Sequence, residues 1–334
     1  MQNLHINALN RAFSPSRALL PEALLSYVSN PALLPPDIRP TGALSSALKP
    51  SGLIAGFIGQ PPIQELNAYK QPEVAVNFAP AAALQSANMA TQPAGQAREL
   101  ALLAADVYRD TPNPPAGYRV AVEGDLDKLG LKPSDLTSAQ SPFRARVYVK
   151  GAGADTQYVV AFRGSTSGSD WKANVRQSVG LSSDHYRRAL YVGSKLALAQ
   201  NANVVITGHS MGGGLASAAA IASGREAATF NSAGLSNATI NAARAIHDAA
   251  GVQSKDNVSA YYVRGDILSA LQDGGDRVLG GLIGGIVGGA FVDAPEAYGK
   301  RIGLESVRPE GLRWYQDNAV ARHGIDWVLS SLNR

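Results

Sequence analysis

The chain has 334 residues, 45% of them hydrophobic, enough for one large domain or two smaller ones with a sizeable core. Its formal net charge of +4 comes from scattered lysines and arginines rather than a basic block, so nothing in the composition supports a nucleic-acid partner. Cysteine is absent, which excludes disulfides, thiol catalysis and thiolate metal sites.

The first residues, MQNLHINALNRAF, lack a charged stretch followed by an apolar one, so no ordinary secretory signal is expected. Apolar runs stop short of the length of a single membrane-spanning helix. Residues 1–96 are punctuated by prolines from Pro15 to Pro80, with short apolar pieces such as Ala18 to Val28 between them. Long regular elements are not expected there. The apolar content is too high for a solvated linker and predicts a partly ordered arm of short helices and loops. A mobile region used for export or partner binding is the other reading.

Residues 97–334 read as a single α/β domain. Leu100, Leu103, Ala104, Val107 and Tyr108 recur at helical spacing. A proline-rich loop over Thr111 to Gly117 follows. Phe143 to Lys150 and Tyr158 to Phe162, joined through GAGAD, predict a β-hairpin that feeds a sheet. The second strand ends in Arg163-Gly164-Ser165, and a polar loop leads to Asp170-Trp171. Tyr186 to Gln200 has a helical apolar face. Later strands are expected over Ala227 to Phe230 and Val258 to Val263, with a helix over Ile240 to Ala250 between them. Alternating strand and helix predicts a mostly parallel sheet with helices on both faces.

Between the first helix–strand group and the second lies Asn203 to Ser223, NVVITGHSMGGGLASAAAIAS. Val204, Val205 and Ile206 suit a strand buried on both faces. Gly208-His209-Ser210-Met211-Gly212 then matches G-x-S-x-G, and a small-residue helix follows. This is the pattern of a nucleophile elbow, with the serine on a strained turn and glycines two residues to either side. The alternative for Ser210 is a surface serine on a glycine-rich turn.

A serine hydroxyl needs a base to take its proton and a third group to orient that base. Five histidines are available. His5 lies in the proline-rich arm, His185 precedes a helix, and His247 is inside one. His209 leaves the backbone on another side from Ser210 and is expected to pack beneath the turn. His323 comes after the expected strands, in ARHGIDWVL, and fits the serine–acid–histidine chain order of α/β-hydrolases. Its alternative is a cap on the helix Gly324 to Leu332. Asp266 follows the apolar run ending at Val263 and is the candidate acid, with Asp273, Asp276 and Asp293 as alternatives. A turn aspartate here also suits a helix N-cap. The oxyanion donors are expected to be the Met211 N–H and Ser165.

FRGSTSGSDW followed by VVITGHSMGGGLA resembles the class-3, fungal-type lipase family, over roughly Leu100 to Leu332. Met211 stands where that family usually has leucine. The resemblance implies an α/β-hydrolase fold and hydrolysis of lipid acyl esters, with Ser210, Asp266 and His323 as triad and Ser165 and Met211 as oxyanion hole. ATFNSAGL, YYVRGDILS and HGIDWVL are similar, more loosely, to bacterial lipase-like effectors that attack phospholipids. That likeness implies export by a dedicated machine, action at a target-cell membrane, and a secretion, chaperone or immunity-protein partner.

No cofactor or metal is expected for this chemistry. The expected partners are a lipid or phospholipid substrate and, transiently, a membrane surface. An acyltransferase or thioesterase using the same residues, or an inactive binding protein on the same fold, are the competing functions. Val278 to Val292, VLGGLIGGIVGGAFV, repeats glycine pairs every four residues. It reads either as an apolar flap or as a tightly packed buried segment.

Overall fold

The computed structural model describes residues 94–139, 141–165, 184–253, 257–272 and 296–333. The proline-rich segment up to residue 93, Asp170 and Trp171, the alternative acids Asp273, Asp276 and Asp293, and the glycine-pair stretch lie outside the described residues.

In chain order the elements are α1 (Ala94–Asp106), β1 (Tyr118–Val120), α2 (Glu123–Lys128), β2 (Ala145–Lys150), β3 (Gln157–Phe162), α3 (Asp184–Leu198), β4 (Asn203–His209), α4 (Met211–Ser223), β5 (Glu226–Phe230), α5 (Asn237–Ala249), β6 (Val258–Val263), α6 (Ile267–Gln272), β7 (Lys300–Leu304), α7 (Ala319–Arg322) and α8 (Ile325–Ser331). Among the described residues seven strands form one sheet in the order β1-β2-β3-β4-β5-β6-β7. The first two pairings are antiparallel, including the expected β2–β3 hairpin, and the rest are parallel. The fold is that of an α/β-hydrolase. Two strands, β1 and β7, are additions to the sequence expectation.

The order of strands decides where the helices go. β3, β4, β5 and β6 are neighbours in sequence order, and right-handed crossovers between neighbours put every connecting helix on one face. Accordingly α3, α4 and α5 pack side by side there. Their core holds Val160, Phe162, Val204, Ile206, Leu190, Leu215 and Ile246. The opposite face presents Tyr148, Val159, Ala161, Val205 and Phe230, and among the described residues none of α3, α4 and α5 covers it. Helices from before and after the parallel strands serve instead: α1 through Leu100 and Leu103, with Val107 directly after it, and α8 through Trp327 and Val328.

α4 is buried from end to end. Its glycines, alanines and serines let it sit close to the sheet with a helix on either side. At the α3 contact, a Cβ on Gly193 would come within 2.9 Å of the Ala219 carbonyl oxygen. The helix stops at Gly224, whose φ of 68° is left-handed. α1 is tied to the sheet through Asp106, which accepts from Tyr148 Oη at 2.8 Å and pairs with Arg146 at 3.3 Å.

Candidate active site

Parallel pairing brings the carboxyl ends of β3, β4, β5 and β6 to one edge, where ligands of open α/β sheets bind. Phe162 pairs with Gly208, His209 with Phe230, and Phe230 with Tyr261. The residues that follow these strands therefore converge: Ser165, Ser210, Asn231 and Asp266.

Ser210 has φ 58° and ψ −128°, a strained conformation for a residue with a Cβ. Its N–H donates to Phe230 O at 3.0 Å, and its carbonyl accepts from Ala233 N–H at 3.0 Å, which locks the turn onto β5. The flanking glycines permit this turn. A Cβ on Gly208 would strike the Gly212 backbone, and one on Gly212 would strike the Phe162 carbonyl.

Ser210, Asp266 and His323 are brought together although 113 residues separate the serine from the histidine. Ser210 Oγ lies 2.8 Å from His323 Nε2, and His323 Nδ1 lies 2.7 Å from Asp266 Oδ1. A carboxylate only accepts, so Nδ1 carries the proton and Nε2 accepts from the serine hydroxyl. All three side chains are buried. Asp266 Oδ2 accepts from both the N–H and the hydroxyl of Ser269 at 3.0 Å. Asp266 thus faces the His323 imidazole with one oxygen and caps the start of α6 with the other. Burial pushes the Asp266 carboxyl up, but the His323 imidazole and the Ser269 donors outweigh it and hold it below the usual carboxylate range.

The expected oxyanion donors are also neighbours. Ser165 Oγ lies 3.8 Å from Met211 Sδ. Met211 is the first residue of α4, where an N–H has no partner within the helix.

His209 lies beneath the elbow, against the His323 ring at a centroid distance of 5.2 Å. Its Nε2–H donates to the backbone carbonyl of His323 at 2.7 Å. Nδ1 then accepts from Tyr108 Oη at 3.3 Å, and that oxygen accepts the Gly164 N–H at 3.0 Å. Burial, with the nearby His323 ring, pushes the His209 imidazole down to about 3, so it stays neutral. His185 packs edge-on to Phe143, and His247 is buried in α5; among the described residues no hydrogen bond joins either to the site. His5 lies outside the described residues.

Asn231 is a residue that the sequence reading missed. It is fully buried, with a left-handed φ of 42°. Its Nδ2 donates to the carbonyls of Arg322 and His323 at 3.0 and 3.1 Å, and its Oδ1 accepts the Val263 N–H at 2.9 Å. One side chain thus ties the backbone of the histidine to the strand that delivers the aspartate. Its signal was an asparagine directly after a parallel strand, in FNSAG.

The fold and the site together define a serine hydrolase of the α/β-hydrolase class. The chain belongs to the family of Tle-like phospholipase domains, whose profile matches residues 99–310. It is 31% identical over 335 residues to an extracellular phospholipase A1 of Serratia liquefaciens, covering 94% of this chain and 96% of that protein. Similar solved structures include a triacylglycerol lipase from Penicillium expansum (15% identity, TM-score 0.38, 68% of this chain and 87% of that one). The Lip2 lipase of Yarrowia lipolytica is another (15% identity, TM-score 0.36, 63% and 78%).

Proposed function

We propose that the protein is a phospholipase A1 that cleaves by two-step acyl transfer through Ser210, His323 and Asp266. The observation that carries this reading is the continuous pair of hydrogen bonds, 2.8 and 2.7 Å, from serine through imidazole to carboxylate. The extracellular phospholipase A1 relative supports the choice of substrate and position.

Ser210 Oγ attacks the carbonyl carbon of the sn-1 ester while His323 Nε2 takes its proton. Asp266 keeps Nδ1–H facing it and stabilises the imidazolium. The oxyanion of the tetrahedral intermediate accepts from the Met211 N–H and from Ser165. Collapse breaks the ester C–O bond, and the imidazolium protonates the leaving lysophospholipid. A water deprotonated by His323 then attacks the acyl-enzyme and releases the fatty acid and the serine. The proposed place of action is a membrane outside the producing cell, as an exported effector; the name of the Serratia relative supports export.

A phospholipid carrying different acyl chains at its two positions tests the reading. Mass spectrometry is expected to find the sn-1 fatty acid and a 2-acyl lysophospholipid, with neither formed by Ser210→Ala. A fluorophosphonate is expected to label the wild type and not that variant. Labelling that persists in Ser210→Ala, or release of the sn-2 chain first, would overturn the assignment.

A further inference from the structure

The turn Trp314–Gln316, just before α7, holds two large aromatic side chains in water. Trp314 is 77% exposed and Tyr315 59%, with the rings edge to face at 6.0 Å. Val320, on α7, is exposed as well. This much aromatic surface left in water calls for a partner.

The exposure does not come from a frayed chain. The Arg313 N–H donates to Gln316 Oε1 at 2.8 Å, the Gln316 N–H returns to Arg313 O at 3.0 Å, and the Asp317 N–H donates to Trp314 O at 3.2 Å. Asn318 Oδ1 caps α7 by accepting from Val320 and Ala321. Asp317 Oδ1 holds Arg322 Nε at 2.6 Å, next to His323. The aromatic tip and the catalytic imidazole are therefore the two ends of one laced segment. The tight 3-10 turn, the two linking residues Asp317 and Asn318 and the short α7 keep Trp314 within about 20 Å of His323.

Tryptophan and tyrosine are the side chains of the bilayer interface, apolar in body with an N–H or O–H left at head-group level. The flanking charge suits anionic head groups. Exposed Arg308 and Arg313 outnumber Glu310, while Asp317 is neutralised by Arg322 and Glu305 by Arg264. We infer that the tip Arg313–Gln316, with Val320, is where the protein seats itself on an anionic phospholipid bilayer, keeping Ser210 near the lipid it hydrolyses. This inference rests on the phospholipase reading for its choice of occupant.

The test compares the full chain with Trp314→Ala/Tyr315→Ala, each in the Ser210→Ala background for binding and with Ser210 intact for turnover. Binding is read by sedimentation with vesicles of mixed zwitterionic and anionic phospholipid. The double variant is expected to bind about tenfold more weakly or worse. It is expected to lose turnover on those vesicles in proportion while keeping turnover of a water-soluble short-chain ester. Vesicles are expected to shift tryptophan emission to the blue in the Ser210→Ala protein and not after Trp314→Phe is added. Arg313→Glu is expected to weaken binding to anionic vesicles only, an effect erased by high salt. Equal binding by wild type and double variant would overturn the proposal and give the tip to another partner, such as a protein. Equal losses on vesicles and soluble ester would also overturn it. Vesicle binding that needs the tip but yields no lysolipid would support the anchor and sink the phospholipase reading instead.

Discussion

Asn231 is expected to govern the proposed reaction through the backbone it holds. Its amide grips the carbonyl of His323 from below, beside the bond from His209. Loss of that grip frees the imidazole to shift relative to Ser210, and a misplacement of about 1 Å in a catalytic group lowers rate by roughly 100-fold. Asn231→Gly keeps the left-handed φ open but removes the amide. It is expected to lower kcat by about that factor with KM little changed, measured on a soluble ester. Asn231→Asp is expected to be no better, since it sets an acceptor against two carbonyl oxygens. A wild-type kcat in the glycine variant would refute the positioning role. His209 adds a pH dependence. Its folded pKa of about 3 lies below its ordinary 6.5, so the unfolded chain takes up a proton that the fold refuses. The stabilisation is fully present above about 6.5 and is lost as pH falls toward 3, at up to about 1.4 kcal/mol per pH unit. Asp266, with its lowered pKa, contributes in the same direction. His209→Gln keeps a donor for the His323 carbonyl but does not titrate. Its urea midpoint is expected to fall less steeply between pH 6.5 and 4 than that of the wild type.

At the scale of elements, α4 carries the most constraint. It starts at Ser210, the proposed nucleophile, contacts α3 and α5, and has no exposed face. Small side chains are the condition for that placement, so the helix gives up large apolar contacts for proximity. It meets α3 at Gly193, where an added Cβ would lie 2.9 Å from both the Ala219 carbonyl oxygen and the Ala222 Cβ. Gly193→Val is expected to force the two helices apart and destabilise the fold by about 1–3 kcal/mol in urea denaturation. Because α4 begins at Met211, the same change is expected to disturb the oxyanion donor and reduce kcat. An unchanged stability would mean that the α3–α4 contact is more compliant than its spacing indicates.

In the whole molecule, the face of the sheet that presents Tyr148, Val205 and Phe230 is closed by pieces from opposite ends of the domain. α1 precedes the sheet and α8 follows it, and both lie against the same apolar surface. That closure also supports the proposed site. α1 leads into Tyr108, which supports His209 and Gly164, and α8 begins one residue after Gly324, which follows His323. Trp327 is 2% exposed in this layer. Trp327→Ala is expected to reduce stability by about 3–5 kcal/mol and to weaken activity beyond the unfolded fraction, because it loosens the support of the imidazole. Parallel loss of folded protein and activity, with normal turnover per folded molecule, would separate packing from positioning.

Several elements were legible in the residues themselves. The elbow was, because glycines two before and two after a serine, between a β-branched strand and a small-residue helix, answer a local steric demand. The hairpin and the strand ending at Val263 were legible through their alternation or apolar runs. β1 and β7 were not: Tyr118–Val120 is three residues long, and Lys300–Leu304 carries two charges and a glycine, so both owe their strand conformation to a neighbour's ladder. Asn231, Ser269 and Tyr108 gain their roles from distances across the sheet and its covering layer. The chain thus prescribed its elbow turn and its alternation of strand and helix, since these depend on residues a few positions apart. Chain order already favoured Asp266 and His323; tertiary structure decided that the serine meets them and what holds them there, because register and crossover hand act between residues that are remote in sequence.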